Sequence, residues 1–150
     1  MFSEKRANAL PRGEIVRGKS AISRLFNKGS RMKGASLLLI YSSSRPVDQA
    51  GRTPVRVMFT VGKKLAPRAV DRNRIKRLMR EAYRLEKCIL SEVVASGGQK
   101  EETQMILAFL YRGRTDSIPS LERFRVEIRH MLKNLLSNRR PQVREDERVE

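Results

Sequence analysis

Apolar residues recur along this chain with two different periods, and the switches between them mark out its elements. Ile22, Leu25 and Phe26 fall on one face at helical spacing, with Ser20 placed to cap a short helix through Lys28 and Gly29 placed to stop it. Residues 37–43 read as a strand. In residues 55–61, Val55, Val57, Phe59 and Val61 alternate with Arg56, Met58 and Thr60, the period-2 pattern of a strand with one buried side. The intervening residues 45–53 hold Pro46, Asp48 and Gly51, and so short a loop predicts that the two strands pair antiparallel.

Residues 63–70 form a basic crossover in which Pro67 disfavours helix at Ala66. The pattern leaves room for a further short strand over 63–68. Asp71 is then placed to cap a second helix. At about 100° per residue, Ile75, Leu78, Met79, Ala82, Ile89 and Val93 lie within about 60° of one line. Asn73, Lys76, Arg77, Arg80, Arg84 and Lys87 lie roughly 100° to 200° away, with Arg72 and Arg74 flanking them. One face packs, and the opposite face is a cationic strip. Ser96-Gly97-Gly98 breaks this helix, and residues 99–103 are a polar loop.

Residues 105–111 are a nearly unbroken apolar run, which fits a central strand buried on both faces, although the run alone does not distinguish strand from helix. Gly113 and residues 117–119 punctuate. The last helix covers residues 120–136, with Leu121, Phe124, Ile128, Met131, Leu132 and Leu135 on one face and His130 opposite. Residues 137–150 have almost no apolar content and read as a disordered tail. Residues 1–17, with Pro11 and Gly13, read as a basic flexible arm. What remains is a single domain, 18–136, of the α+β class: a two-layer sandwich in the order α-β-β-(β)-α-β-α.

Charge changes the picture from a fold to a partner. The chain has 150 residues, is 39% hydrophobic and carries a formal net charge of +17. It is large enough for one real core, and its charge opposes compaction unless a polyanion offsets it. Residues 1–33 hold nine Lys/Arg and two Glu, and residues 61–87 hold ten against three acids, so each block is +7. Residues 88–150 hold eleven against ten, only +1, so the binding surface belongs to the first 87 residues. Nucleic acid is the first candidate and an anionic membrane surface the second. A membrane-surface helix fits poorly, because the face opposite the strip is needed for the core. No apolar run is long enough to span a bilayer, and the N-terminus lacks a signal-peptide core. Cys88 is the single cysteine, so no internal disulfide forms. These features predict a cytoplasmic protein with no membrane association.

Enzymatic machinery is hard to find. His130 reads as a solvated residue, Cys88 as an incidental thiol, and Glu101-Glu102 as solvated loop charge. There is no Cys/His metal spacing, Walker-type loop or GxGxxG. No catalytic and no metal-ligating residue is therefore assigned, and no small-molecule substrate. A charged helix face is usually just solvated, but this one has only Glu81 and Glu86 to pair with, and Lys63, Lys64 and Arg68 extend it. Arginine forks grip phosphate oxygens in pairs, and Asn73 adds donors and an acceptor. Contact with about 6–10 phosphates would cost ~10³–10⁵-fold in affinity between about 50 and 200 mM salt. Ile22 and Phe26 have two readings: core packing of a short helix, or a partly exposed shelf for unpaired bases, with Met58 and Thr60 as the facing wall.

The stretch Val61-Gly62-Lys63-Lys64, followed by Ala69-Val70-Asp71-Arg72-Asn73-Arg74-Ile75-Lys76-Arg77-Leu78-Met79-Arg80-Glu81-Ala82, resembles the signature of the bacterial ribonuclease P protein component. The resemblance covers about residues 8–136 and includes Leu25-Phe26-x-x-Gly29. It implies a ribosomal protein S5 domain 2-like fold with a left-handed βαβ crossover, where most such crossovers are right-handed. It also implies the protein subunit of a ribonucleoprotein endoribonuclease, a hydrolase of tRNA processing that removes the 5′ leader of precursor tRNA. The catalytic centre would lie in the RNA subunit, with Mg²⁺ held mainly by that RNA and the substrate. By the same resemblance, Lys63, Lys64, Arg68, Arg72, Asn73, Arg74, Lys76, Arg77, Arg80 and Arg84 are expected to bind the RNA subunit. Ile22, Phe26, Met58 and Thr60 are expected to line the leader-binding cleft. A one-residue shift swaps strand faces, so either Ile40 or Tyr41 supplies the first-strand wall. The chain departs from the family pattern in places. Ile22 stands where an aromatic is often found, Gly62 where a small polar residue is common, and Leu65-Ala66-Pro67-Arg68 in place of a Gly-containing link. The alternative function is a ribosomal or ribosome-assembly RNA-binding protein with no role in cleavage, which explains charge and size but does not require the long motif.

Overall fold

The computed structural model describes residues 15–16, 19–44, 55–90 and 104–138. The expectations for residues 1–14 and 17–18, the 45–53 loop, Val93, residues 96–103 and the tail from 139 lie outside the described residues. The elements are α1 (Lys19–Lys28), β1 (Ser30–Lys33), β2 (Leu37–Ser44), β3 (Val55–Val61), α2 (Ala69–Glu86) with a 3₁₀ turn (Lys87–Leu90), β4 (Gln104–Tyr111) and α3 (Leu121–Asn138).

The four strands form one sheet in the order β1-β2-β4-β3. This corrects the expected β2–β3 pair: β4 lies between them, antiparallel to β2 and parallel to β3. The physical reason is burial. Met105, Ile106, Leu107, Ala108 and Phe109 are all buried, so β4 is apolar on both sides and takes the central position. β3, α2 and β4 therefore make a βαβ crossover between neighbouring parallel strands. β1 had no counterpart in the hydrophobic pattern. Its residues Ser30, Arg31, Met32 and Lys33 are mostly exposed and pair only with β2, at the sheet edge.

Residues 63–68 form a turn rather than a strand, with the Ala66 amide donating to the Gly62 carbonyl at 3.0 Å. The helix then begins earlier than Asp71 suggested. Arg68 is the N-cap in extended geometry, and Asp71 sits in the first turn, where its charge still suits the helix dipole. The last helix starts as expected, Ser120 Oγ accepting from the Arg123 amide at 3.3 Å.

Strand alternation sends side chains to two unlike faces. On the first, Leu39, Val57, Leu107 and Phe109 pack beneath α2 and α3, and the rings of Phe59, Tyr83 and Phe109 meet at centroid distances of 5.8–5.9 Å. The two helices are tied by Glu86, whose carboxylate accepts from Arg125 Nε and Arg129 Nε, each at 2.8 Å. Glu127 of α3 fixes the β1–β2 turn by accepting from the Ser36 amide (2.9 Å), the Ser36 hydroxyl (2.7 Å) and the Leu37 amide (2.7 Å).

On the second face, α1 presses Leu25 onto Leu38, Ile40, Ile106 and Ala108. Gly29 is needed at the end of α1 because a Cβ there would stand 2.7 Å from Ile40 Cγ2. α1 covers β2 and part of β4 but leaves Met58 on β3 and Leu110 on β4 only partly buried. Ile15 and Val16, from the segment read as an arm, lie along the outer edge of β3, the Val16 amide donating to the Val57 carbonyl at 2.9 Å.

Candidate nucleic-acid interface

The outer face of α2 is the first candidate surface. Ile75, Met79 and Ala82 are fully buried, while Asn73, Arg74, Arg77 and Arg80 are exposed and Lys76 is half-buried. The helix thus turns its charges away from the sheet because its apolar stripe is committed to the core. Lys63, Lys64 and Arg68, in the crossover that leads into α2, are exposed as well. Among the described residues, the side chains of Lys63, Lys64, Arg68, Arg74, Lys76, Arg77 and Arg80 make no hydrogen bond or ion pair. Seven like charges left unpaired along one helix and the turn before it repel each other, and a polyanion relieves that repulsion.

Two members of the predicted set are engaged within the protein. Arg72 Nη1 donates to the Ala66 carbonyl at 2.8 Å and to the Pro67 carbonyl at 2.9 Å. Its guanidinium thus satisfies two carbonyls of the turn that launches α2. Arg84 Nε donates to Glu81 Oε2 at 3.1 Å, and Arg84 Nη2 bonds Oε1 of the same carboxylate. This contact holds the Glu81 carboxyl below the usual carboxylate range and raises the Arg84 guanidinium. Glu86, the other acid expected to pair with the strip, faces α3 instead. The hydrogen bond from Arg129 is the largest cause of its lowered pKa.

The second candidate surface is the uncovered part of the α1 face. Ile22 and Phe26 of α1 are half-buried, as are Met58 and Thr60 of β3, so all four present side-chain area to solvent on this one face. The register decides the first-strand alternative. Ile40 pairs with Ala108 on the α1 face, whereas Tyr41 pairs with Leu107 and packs against the α2/α3 core. Tyr41 is therefore corrected out of the cleft: it points to the opposite side of the sheet. Ile40 is on the cleft side but only 1% exposed, so it is floor beneath α1 rather than a contact surface.

At one end the cleft opens into a hollow of about 350 Å³ whose lining includes Phe26, Thr60, Gly62, Lys64, Leu110 and Arg112. Gly62 and Arg112 are not among the cleft residues that the sequence predicts. The signal was present in the alternation: Thr60 pairs with Leu110 and Val61 with Tyr111, so one further step brings Gly62 beside Arg112 on the Thr60 side. A larger hollow of about 830 Å³, between the β1–β2 turn and α3, contains none of the predicted binding residues.

His130 and Cys88 are exposed. Among the described residues there is no group of three or more His, Cys, Asp or Glu that would hold a metal ion, and no helix long and apolar enough to cross a membrane.

Comparison with known proteins places this geometry. The family model described as Ribonuclease P matches residues 10–136. The ribonuclease P protein component of Chlorobaculum tepidum is 74% identical over 150 residues, covering 100% of this chain and 97% of its own length. That of Chlorobium phaeobacteroides is 40% identical over 137 residues, covering 90% of this chain and 93% of its own. Among solved structures, the RNase P protein of Thermotoga maritima matches with a TM-score of 0.60 at 17% identity, covering 81% of this chain and 96% of that one. The RNase P protein of Staphylococcus aureus matches at 0.54 and 19%, covering 81% and 94%. The distant structures show the same fold, and the family model with the near-full-length relatives carries the assignment: this chain belongs to the bacterial ribonuclease P protein component family.

Proposed function

We propose that this protein works by placement and charge. In this reading α2 and the 63–68 turn dock on the catalytic RNA, and the α1/β3 cleft holds the 5′ leader of precursor tRNA. The catalytic centre is in the RNA subunit, and Mg²⁺, which supplies the charge stabilisation of phosphodiester hydrolysis, is held mainly by that RNA and the substrate. No cluster of carboxylates or imidazoles among the described residues fits a resident metal. The observation that carries the reading is the set of unpaired cations on α2 and the turn before it, backed by a buried stripe, together with a cleft on the other side of the sheet that holds a partly exposed ring. The compartment is cytoplasmic, where both RNAs are made. The alternative of a ribosomal or assembly RNA-binding protein accounts for the charge but not for family membership.

Chain chemistry suggests a division of labour. The strip neutralises phosphates, which lowers repulsion between two polyanions and reduces the Mg²⁺ needed for assembly. Phe26 offers a π-face to an unpaired base, and Ile22 offers only apolar area. The test is 5′ cleavage of precursor tRNA by bacterial ribonuclease P RNA at low Mg²⁺, with and without this protein. Stimulation is expected, and it should be reduced by Arg74→Ala with Arg77→Ala. Those positions serve better than Arg72, whose loss would also release the Ala66 and Pro67 carbonyls. No stimulation by the unaltered protein would sink the reading.

A further inference from the structure

The two edges of the sheet are treated differently. Ile15 and Val16 lie along the outer edge of β3. At the other edge, among the described residues, β1 pairs with β2 alone, which leaves its outer row of backbone amides and carbonyls unpaired. β1 also has two unlike sides. Arg31 and Lys33 stand opposite Ile40 and Leu38, on the α1 side of the sheet. Both are exposed, and neither side chain has a partner among the described residues. Met32 stands opposite Leu39, on the α2/α3 side, and is half-buried. Beside it opens the hollow of about 830 Å³ between the β1–β2 turn and α3, where Val126 is 56% exposed. The hollow carries charge of both signs, Glu122 and Glu127 with Arg114 and Arg123, and Glu127 already accepts from the Ser36 and Leu37 amides.

We propose that β1 and this hollow form a docking surface for an extended acidic segment of another protein, which adds to the four-stranded sheet as a fifth strand. A strand about 4.8 Å outside β1 continues the pleat, so its residues alternate between the two sides. Every second side chain then stands beside Arg31 or Lys33, where a carboxylate is favoured. The others turn toward Met32 and Val126, where an apolar side chain is favoured because it covers area that is otherwise in water. The partner chemistry is therefore a run of about six residues in which Asp or Glu alternates with Val, Ile or Leu. A second copy of this chain does not fit, because antiparallel pairing of two β1 strands sets Arg31 and Lys33 against their own kind. A nucleic acid would use the two cations but neither the backbone edge nor the apolar area at Met32 and Val126. Four residues of edge make a small interface, so the contact is transient rather than obligate.

The probe is a labelled, end-blocked peptide, Val-Glu-Val-Glu-Val-Glu, added to the full-length chain and to that chain assembled with bacterial ribonuclease P RNA. Saturable binding to both is expected by fluorescence anisotropy, with slower hydrogen exchange at the amides of residues 30–33. Arg31→Glu with Lys33→Glu, and separately Val126→Asp, should each weaken binding about tenfold or more. All three positions are exposed, so the urea midpoint should not move. Two control peptides should bind about tenfold more weakly: Val-Val-Val-Glu-Glu-Glu, with the same charge and no alternation, and the first peptide N-methylated at alternate residues, which cannot complete the ladder. Equal binding of either control would reduce the interaction to general attraction for a chain of net charge +17 and overturn the proposal. Binding to the free chain that vanishes in the assembled one would overturn it as well, since RNA would then cover this edge. So would a loss of RNA binding in Arg31→Glu with Lys33→Glu while the peptide binds as before, which assigns the two cations to nucleic acid.

Discussion

The two faces of the sheet are built from the same alternating strands and differ in how completely they are covered. The α2/α3 face is sealed at its centre: Phe109, Leu107, Phe124 and Ile128 are all 0% exposed there. The α1 face is half sealed, with Leu25 at 0% but Ile22, Phe26, Met58 and Leu110 only partly buried. A single short helix cannot span four strands, and its Leu25 packs with Leu38 and Ile40 of β2 and Ile106 and Ala108 of β4. The sealed face supplies stability, and the open one is left with apolar area beside cations. The sharpest contrast is between two phenylalanines. Phe109→Ala should cost about 3–5 kcal/mol, because it empties a ring cluster shared with Phe59 and Tyr83. Phe26→Ala should cost about 1–2 kcal/mol of stability yet reduce leader binding. Urea denaturation and leader-dependent binding measured on both variants would break the comparison if the two effects were reversed.

Glu86 gives the next largest effect and belongs to the sealed face. It is 5% exposed and bonds two arginines of α3, so Glu86→Gln, which keeps the shape and loses the charge, should cost about 1–3 kcal/mol at pH 7. Its pKa is lowered from the ordinary 4.5, chiefly by the Arg129 hydrogen bond. The carboxylate's contribution is therefore fully present above the unfolded value and is lost as pH falls through the lower folded one. The stability gap between the native protein and Glu86→Gln should shrink between pH 7 and pH 3 in urea titrations. A gap independent of pH would mean that packing, not charge, joins α2 to α3.

The strip reverses the logic of Glu86, since Lys76, Arg77 and Arg80 have no side-chain partner among the described residues. Arg77→Ala with Arg80→Ala should leave the urea midpoint where it is, because both side chains are exposed and without partners among the described residues. The same pair should weaken RNA-subunit binding about tenfold and flatten the log–log salt dependence by nearly 2, about 0.9 per phosphate contact. Loss of stability without loss of salt slope would make the strip a structural element.

How far the sequence foretold this molecule depends on whether the deciding force is local. The apolar stripes of α2 and α3 were legible because periodicity alone sets which face packs, and Ile75, Met79, Phe124 and Ile128 are buried as their spacing required. β1 was not legible: Ser30 to Lys33 carry no alternation and are held only by pairing with β2. The position of β4 between β2 and β3 is a property of the whole sheet, although its two-sided apolar run was the clue. Glu86 falls about 20° from the centre of the α2 stripe, so its place in the buried face was readable, but its arginine partners lie on α3. Among the candidate site residues, the cationic face emerged from angles alone, while Arg112 needed the β3–β4 register. Arg72 matched the charge pattern and yet also serves the backbone of its own turn.

The smallest effect tests whether the boundary between pairing and non-pairing matters within the strip itself. Glu81 is the acid that interrupts it, and both partners of its bond to Arg84 are substantially exposed, at 43% and 31%. Exposed pairs three residues apart on a helix contribute about 0.3–0.5 kcal/mol, and salt screens them. Glu81→Gln should therefore change stability by less than about 0.5 kcal/mol, within reach of careful urea titration. Its effect on RNA should have the opposite sign. Removing one negative charge from a surface of like cations strengthens attraction for a polyanion, by about two- to threefold at low salt and not at all at high salt. An RNA affinity that falls in Glu81→Gln would mean that Glu81 serves to hold Arg84 in its binding geometry. Pre-organisation by the acid would then outweigh its charge.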